Sequence, residues 1–247
     1  MTDADIAYPP LGTLKGVADN LWVIDGPVIR FGMPWPKTPF PTRTTLIRLS
    51  DGALFVHSPT PLSASLKRAL DEVGTVRWIV GPNRLHYYWM PEWHDAYPEA
   101  KIYLAPKIAE QSKGRIRFAS APLDAGQGYP WDDEVATLPI VSRFMTEVEF
   151  FHRPTRTLIL TDLIENFETA KLSGWMRLFA RLGGVVDPHG STPRDLRVAF
   201  RGHRPALKTA VETMIAWNPA RIILAHGRWY ESDGQAELRR ALHWALR

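Results

Sequence analysis

The 247-residue chain contains no cysteine. Disulfides, thiolate metal sites and a cysteine nucleophile are thereby excluded, and any metal must be held by His, Asp, Glu, Asn or backbone oxygen. Long apolar runs are missing too. No segment approaches a membrane span, and the opening MTDADIAYPPLGTLKG has early acidic residues and no apolar stretch of signal-peptide length. A cytoplasmic protein without a membrane span is expected. Nor is there a large excess of one charge. With 30 basic and 26 acidic residues and a formal net charge of +4, attraction to anions is mild and nucleic acid is not expected as a partner. What is present is a hydrophobic content of 45%, enough at this length for a substantial core.

Strand and helix signals alternate along the chain. Leu21 to Ile24 and Thr45 to Leu49 read as strands, separated by the proline-rich Phe31 to Pro41, which the pattern keeps out of a sheet interior. Asp51-Gly52 predicts a hairpin between Thr45–Leu49 and Ala53–His57. A helix follows over Leu62 to Val73, with Leu62, Leu66, Leu70 and Val73 on one face, then a strand over Val76 to Val80, a helix over Glu92 to Tyr97 and a strand over Lys101 to Leu104. The looser Ala105 to Asp133 bridges two halves. Strands resume at Val135 to Leu138, Glu147 to Phe151 and Thr157 to Thr161, the last two joined by a tight turn at Pro154. Leu172 to Leu182 sets Leu172, Trp175, Met176, Phe179 and Leu182 at helical spacing. This reads first as a core-packed or lid helix, with a membrane-surface or dimer helix as the alternative. The chain closes with a helix from Pro205, a strand over Arg221 to Ala225 and a terminal helix over Ala236 to Leu246.

Three polar residues follow apolar strands: His86 after VRWIV, Asp162 after TLILT and His226 after RIILA. If those strands are neighbours, their exits collect two imidazoles and a carboxylate, a ligand set for zinc or iron with an open position. The plainer reading makes Asp162 an acceptor for turn amides and His226 a hydrogen-bonded rim residue. Around His86 runs VGPNRLHYYWMPEWH, dense in aromatic side chains. His57 and His152 also close strands, and for both a satisfied structural histidine is the leading reading, with His57 the better candidate for a fourth ligand. His94, His189, His203 and His243 carry no functional reading.

The alternation of elements, TDL after Thr157–Thr161 and AHG after Arg221–Ala225 resemble the metallo-β-lactamase superfamily over nearly the whole chain. More narrowly, LSDGALFVHSP, GPNRLHYYWMPEW with YPEAKIYLAP, EVEFFHRPTRTLILTDL and ILAHGR are similar to a domain-of-unknown-function branch of it. The resemblance implies an α/β fold, the αββα four-layer sandwich of metallo-β-lactamase type with two mixed sheets flanked by helices, and one domain over residues 1–247. It implies metal ligands on loops at one sheet edge. Members of that superfamily carry His-x-His-x-Asp-His where this chain has Asn83-Arg84-Leu85-His86. In one register His86 matches the last histidine of that motif and Leu85 its aspartate; in another, Asn83 is the remnant of the first histidine. The first register gives His86, Asp162 and His226 as ligands of one metal position, with Asp162 at the bridging aspartate. The histidine expected before the Glu147 strand has no counterpart in Val141 to Thr146, leaving the other position empty.

Two functions follow from this. One is a mononuclear hydrolase of an ester, thioester or lactone, in which His86, Asp162 and His226 are both ligands and catalytic residues around one zinc or iron ion. Asn83, Arg84, Tyr87, Trp89, Arg228 and Trp229 would then contact substrate. The other is a non-catalytic small-molecule-binding protein without a metal, its cleft lined by Tyr87, Tyr88, Trp89, Trp93 and Trp229. A nuclease-like role for Arg143, Arg153, Arg156, Arg177 and Arg181 ranks behind solvated surface charge. A homo-oligomer stays open.

Overall fold

The computed structural model describes residues 3–32 and 37–247, with side chains from residue 5 at the N-terminus. In order, the elements are α1 Asp3–Ile6, β1 Lys15–Ala18, β2 Leu21–Phe31, β3 Thr38–Arg48, β4 Ala53–His57, α2 Ala64–Val73, β5 Thr75–Gly81, α3 Met90–Ala96, β6 Lys101–Leu104, α4 Ile108–Gln111 and β7 Ala121–Pro122. There follow β8 Val135–Val141, β9 Thr146–His152, β10 Thr157–Leu160, α5 Gly174–Gly183, α6 Arg194–Ala199, α7 Arg204–Ala216, β11 Arg221–Leu224, α8 Gly234–Ala241 and α9 His243–Leu246. The chain divides into two compact units, one of Ala7–Pro27 and Thr42–Asp124, the other of Met1–Ile6, Val28–Pro41 and Ala125–Arg247. The change of unit at 124/125 falls inside the loose 105–133 stretch, which also holds α4 and β7.

The first unit is organised by a seven-stranded sheet in the order β1-β2-β3-β4-β5-β6-β7. The Asp51-Gly52 hairpin forms as expected, with Thr45 opposite His57 and Arg48 opposite Leu54. Asp51 Oδ1 accepts the Ala53 amide, and Gly52 takes a φ of +83°, open to glycine at no steric cost. From β4 onward the pairing turns parallel, β4 with β5 and β5 with β6. All five residues of β4 are buried, which is why ALFVH is an apolar run and not an alternation. Helix α2 starts where the Ser63 Oγ accepts the Leu66 amide, and it buries Leu66 and Leu70, while Leu62 precedes the helix.

The proline-rich stretch requires a correction. Thr38 to Pro41 belong to β3, so Pro39 and Pro41 lie in a strand. The pairing of β3 with β4 runs only from Thr45 to Arg48, so both prolines lie outside that ladder, where a missing amide is tolerated. Residues 33–36 of that stretch lie outside the described ones.

The second unit carries a four-stranded sheet, β11-β10-β9-β8. β8, β9 and β10 form an antiparallel meander, and β11 joins β10 in parallel, Thr157 opposite Arg221 through Leu160 opposite Leu224. Helix α7 lays Leu207, Ala210, Val211, Met214 and Ile215 into one core with Leu158, Leu160, Ile222 and Leu224. The terminal helix is two helices, α8 and α9, broken at Leu242. Helix α5 is not the core-packed helix its spacing suggested. Leu172, Met176 and Ala180 are buried in a small cluster with Ile6, Phe167 and Val185, but Trp175, Phe179 and Leu182 are exposed.

In the first unit, Asp25 receives Arg43 at 2.7 Å and Lys15 at 2.8 Å, and the Asp25 and Arg43 side chains are only 5% and 3% exposed. Asp25→Asn leaves a buried guanidinium without its carboxylate, so it lowers the unfolding free energy by about 3–5 kcal/mol. Urea denaturation measures this, and a loss below about 1 kcal/mol would contradict it.

Candidate functional site

In the second unit the sheet itself brings two chemistry-bearing residues together. β10 and β11 run parallel with Leu160 opposite Leu224, and Asp162 and His226 each lie two residues further on. His226 Nε2 is 3.2 Å from Asp162 Oδ1, with both side chains almost fully buried. The other ring nitrogen, Nδ1, lies 2.7 Å from the Pro41 carbonyl. A carbonyl oxygen only accepts, so Nδ1 carries the proton and Nε2 is left to face the carboxylate. Burial disfavours the charged ring, but the hydrogen bond and charge of Asp162, the charge of Glu165 and the Pro41 carbonyl together hold its pKa above the ordinary imidazole value. The ring also meets Phe40 edge-on at 5.3 Å.

The loops behind this pair are fixed by side chains that the sequence reading did not single out. Glu147 Oε1 accepts the amides of Thr161, Asp162 and Leu163 at 3.2, 2.7 and 2.9 Å. Glu149, two residues along β9 and fully buried, sits beside it. Burial, then the charge and hydrogen bond of Glu147, push the Glu149 carboxyl well above the usual range, and burial with the charge of Asp162 raises Glu147 to about 7. Asn166 Nδ2 donates to Asp187 Oδ1 and to the Arg228 carbonyl, and Asn166 Oδ1 accepts the Gly190 amide. The glycine of AHG is dictated by this packing: Gly227 has a φ of +86°, and a Cβ there would stand 2.2 Å from the Asn166 carbonyl oxygen. The signal for Glu147 and Glu149 was available, since carboxylates at i and i+2 in an apolar strand share a face that must satisfy them.

In the first unit His57 ends β4 opposite Val80 of β5, so the chain leaves both strands at one edge. Ser58 follows with a φ of +54°, unusual for serine. Its Oγ lies 2.6 Å from Nδ1 of His86. His86 is carried there by a turn in which Asn83 Oδ1 accepts the Leu85 amide and the Asn83 carbonyl accepts the His86 amide. Burial, with the charge of His86 second, lowers the pKa of His57 to about 3, so that ring stays neutral. His152 is lowered to about 4 by burial, and its Nδ1 engages Thr155 Oγ1 in the β9–β10 turn, a structural role.

The expected substrate contacts are more occupied than the sequence implied. Asn83 is buried in its turn. Arg84 Nη2 donates to Gln111 Oε1, and the Tyr87 hydroxyl donates to the Gln111 carbonyl, which ties both to α4. Trp93 cannot line a cleft: it is fully buried and donates from Nε1 to the Thr60 carbonyl. Trp229 packs on the core of the second unit. Tyr88 is exposed, edge-on to Trp89 and covered by the Arg115 guanidinium at 4.0 Å. The Arg228 side chain is exposed, 3.6 Å from Asp187.

The fold that carries these residues, two mixed sheets of seven and four strands flanked by helices, is that of the metallo-β-lactamases. The DIM-1 metallo-β-lactamase exposed to ceftazidime matches at a TM-score of 0.63 and 11% identity, over 94% of this chain and 95% of that one. A metallo-β-lactamase from Hirschia baltica matches at 0.62 and 11%, over 94% and 97%. The FIM-1 enzyme from Pseudomonas aeruginosa, in its mono-zinc form, matches at 0.58 and 12%, over 94% of each chain. At such identities the likeness shows the fold alone. By sequence, the chain belongs to the family described as Domain of unknown function (DUF4336), whose model matches residues 36–172. No curated protein sequence matches it. Among the described residues no helix is long and apolar enough to cross a membrane.

Two outcomes test the carboxylate arrangement. Glu147→Ala strands buried amides and costs more than about 3 kcal/mol, whereas Glu147→Gln keeps an acceptor and loses less, as urea denaturation of both variants measures. Glu149 binds its proton more tightly folded than unfolded; its contribution is therefore full below its ordinary value of 4.5 and is lost as pH rises toward the folded value. Glu149→Gln flattens the decline in stability above about pH 5, and an unchanged slope would show that Glu149 is not held neutral.

Proposed function

We propose that the chain is a metal-dependent hydrolase that holds one ion with His86, Asp162 and His226. The observation that carries this is the state of the two imidazoles. In each unit a histidine near a strand exit has Nδ1 engaged, with Ser58 Oγ for His86 and with the Pro41 carbonyl for His226, and Nε2 of His226 faces the Asp162 carboxylate. Metal-binding histidines are oriented in this way by a partner on the other nitrogen. Two imidazoles and a carboxylate, with no thiolate, suit zinc or ferrous iron and leave coordination positions open. The mono-zinc form of a protein with this fold is consistent with a one-ion arrangement.

An ion in that position would supply Lewis-acid polarisation of an acyl carbonyl and activation of water, the chemistry of ester, thioester or lactone hydrolysis. The chain's own residues do the rest. Asp162, fixed by the three amides on Glu147, is the carboxylate placed to accept a proton or to orient water beside His226. Arg228 is the exposed cation beside His226 in sequence and is placed to meet an anionic or carbonyl group of a substrate. Tyr87 and Trp89 supply aromatic walls. His57, neutral down to about pH 3, is the further candidate ligand.

A second reading has a specific observation in its favour. Asp162 and His226 already pair at 3.2 Å, and the carboxylate favours a proton on Nε2, so the old ligand positions could persist as a polar network in a small-molecule-binding protein without a metal. Elemental analysis of untagged protein after zinc or iron loading separates the two. The hydrolase reading expects about one ion per chain, lost in His226→Ala, with affinity falling about 10- to 100-fold in Ser58→Ala. It also expects chelator-sensitive turnover of an acyl substrate. Protein that takes up no ion, yet is stabilised by a small molecule, sinks it.

A further inference from the structure

Helix α5 presents to solvent a set of side chains that no part of the proposed chemistry uses. Its sequence, GWMRLFARLG, buries Met176 and Ala180, with Leu172 just before it, at spacings of four. The remaining apolar residues point outward: Trp175 is 41% exposed, Leu178 56%, Phe179 62% and Leu182 57%. Spacings of three and four place these side chains on one stripe. Trp175 and Phe179 meet edge-on at 5.8 Å, which makes the stripe a continuous aromatic and aliphatic ridge. A soluble helix normally turns such residues inward, and a clustered apolar patch marks an interaction surface.

The charges beside the ridge say what covers it. Between 171 and 184 the only charged residues are Lys171, Arg177 and Arg181, with Arg177 and Arg181 exposed. At the far end of α5, Nε of Arg194 and Nη2 of Arg197 lie 3.7 and 3.8 Å from the Cβ position of Gly184. The nearest acid on α6, Asp195, turns its Oδ1 to the Leu196 amide of its own helix. Arg177 also donates from Nη2 to the Leu172 carbonyl, and no acidic residue between 171 and 184 offsets the two arginines. An anionic bilayer answers both features at once. Trp, Leu and Phe enter the boundary between headgroups and acyl chains, and the arginines meet lipid phosphate.

We propose that α5 is a peripheral membrane-binding helix that docks the protein on anionic phospholipid, with Trp175, Leu178, Phe179 and Leu182 as the inserted residues and Arg177 and Arg181 as the phosphate contacts. The proposal is independent of any metal. Flotation of purified protein with phosphatidylglycerol-containing vesicles, against pure phosphatidylcholine vesicles, tests it. Binding is expected to the anionic vesicles only and to weaken as salt is raised. Leu178→Asp/Phe179→Asp and, separately, Arg177→Glu/Arg181→Glu each reduce binding more than about tenfold, with unchanged thermal melting since all four positions are exposed. The charge-reversed pair keeps the test decisive if the first variant misfolds. No flotation, equal binding by the variants, or a dimer in light scattering that Phe179→Asp dissolves without any vesicle binding would each overturn the proposal.

Discussion

One carboxylate oxygen holds the working edge of the second unit in shape. Oε1 of Glu147 accepts three successive amides from the loop after β10. Burying an ionisable group in an apolar strand is costly, and the crowding extends to Glu149, which is driven toward its neutral form. The compensation is a loop with one conformation. Asp162 points at His226 because its own amide is pinned, and Asn166 clamps Gly227, Arg228 and Gly190 from the same loop. Such a connected polar set specifies a geometry that apolar packing alone would leave soft.

Much of the architecture could be read from the chain. The hairpin at Asp51-Gly52, the neighbouring exits of β10 and β11, and the change of unit within 105–133 each followed from local signals whose physics is short-range, whereas β5 belongs to the other sheet and is no neighbour of β10 or β11. The misses share a cause: they depend on what lies across from a residue. Pro39 and Pro41 enter β3 because β4 stops short of them. Trp93 goes inward because the Thr60 carbonyl needs a donor, and the stripe of α5 faces out although its period alone suited a core.

The candidate site was legible to a similar degree. Strand ends marked Asp162 and His226, which the structure pairs, but not the groups that orient them. Ser58, Glu147, Glu149 and Asn166 come from remote segments, and sequence separation hides them. The structure also separates histidines that sequence treats alike. His152 uses Nδ1 on a turn hydroxyl, whereas His226 hands Nδ1 to a carbonyl and keeps Nε2 beside a carboxylate. Membership of the DUF4336 family and the metallo-β-lactamase fold describe the scaffold, and the hydrogen-bond partners of its histidines describe what each ring is doing within it.

The offset of Asp162 and His226, two residues beyond paired positions on parallel strands, has an evolutionary consequence. Their separation is inherited from the spacing of hydrogen-bonded strands and owes little to the length or composition of the loops that follow. Insertions and substitutions at that edge can reshape what approaches the pair, and can change its neighbours wholesale, while the acid and the imidazole stay in register. A lineage can thus shed most of an ancestral motif and still keep these two groups together.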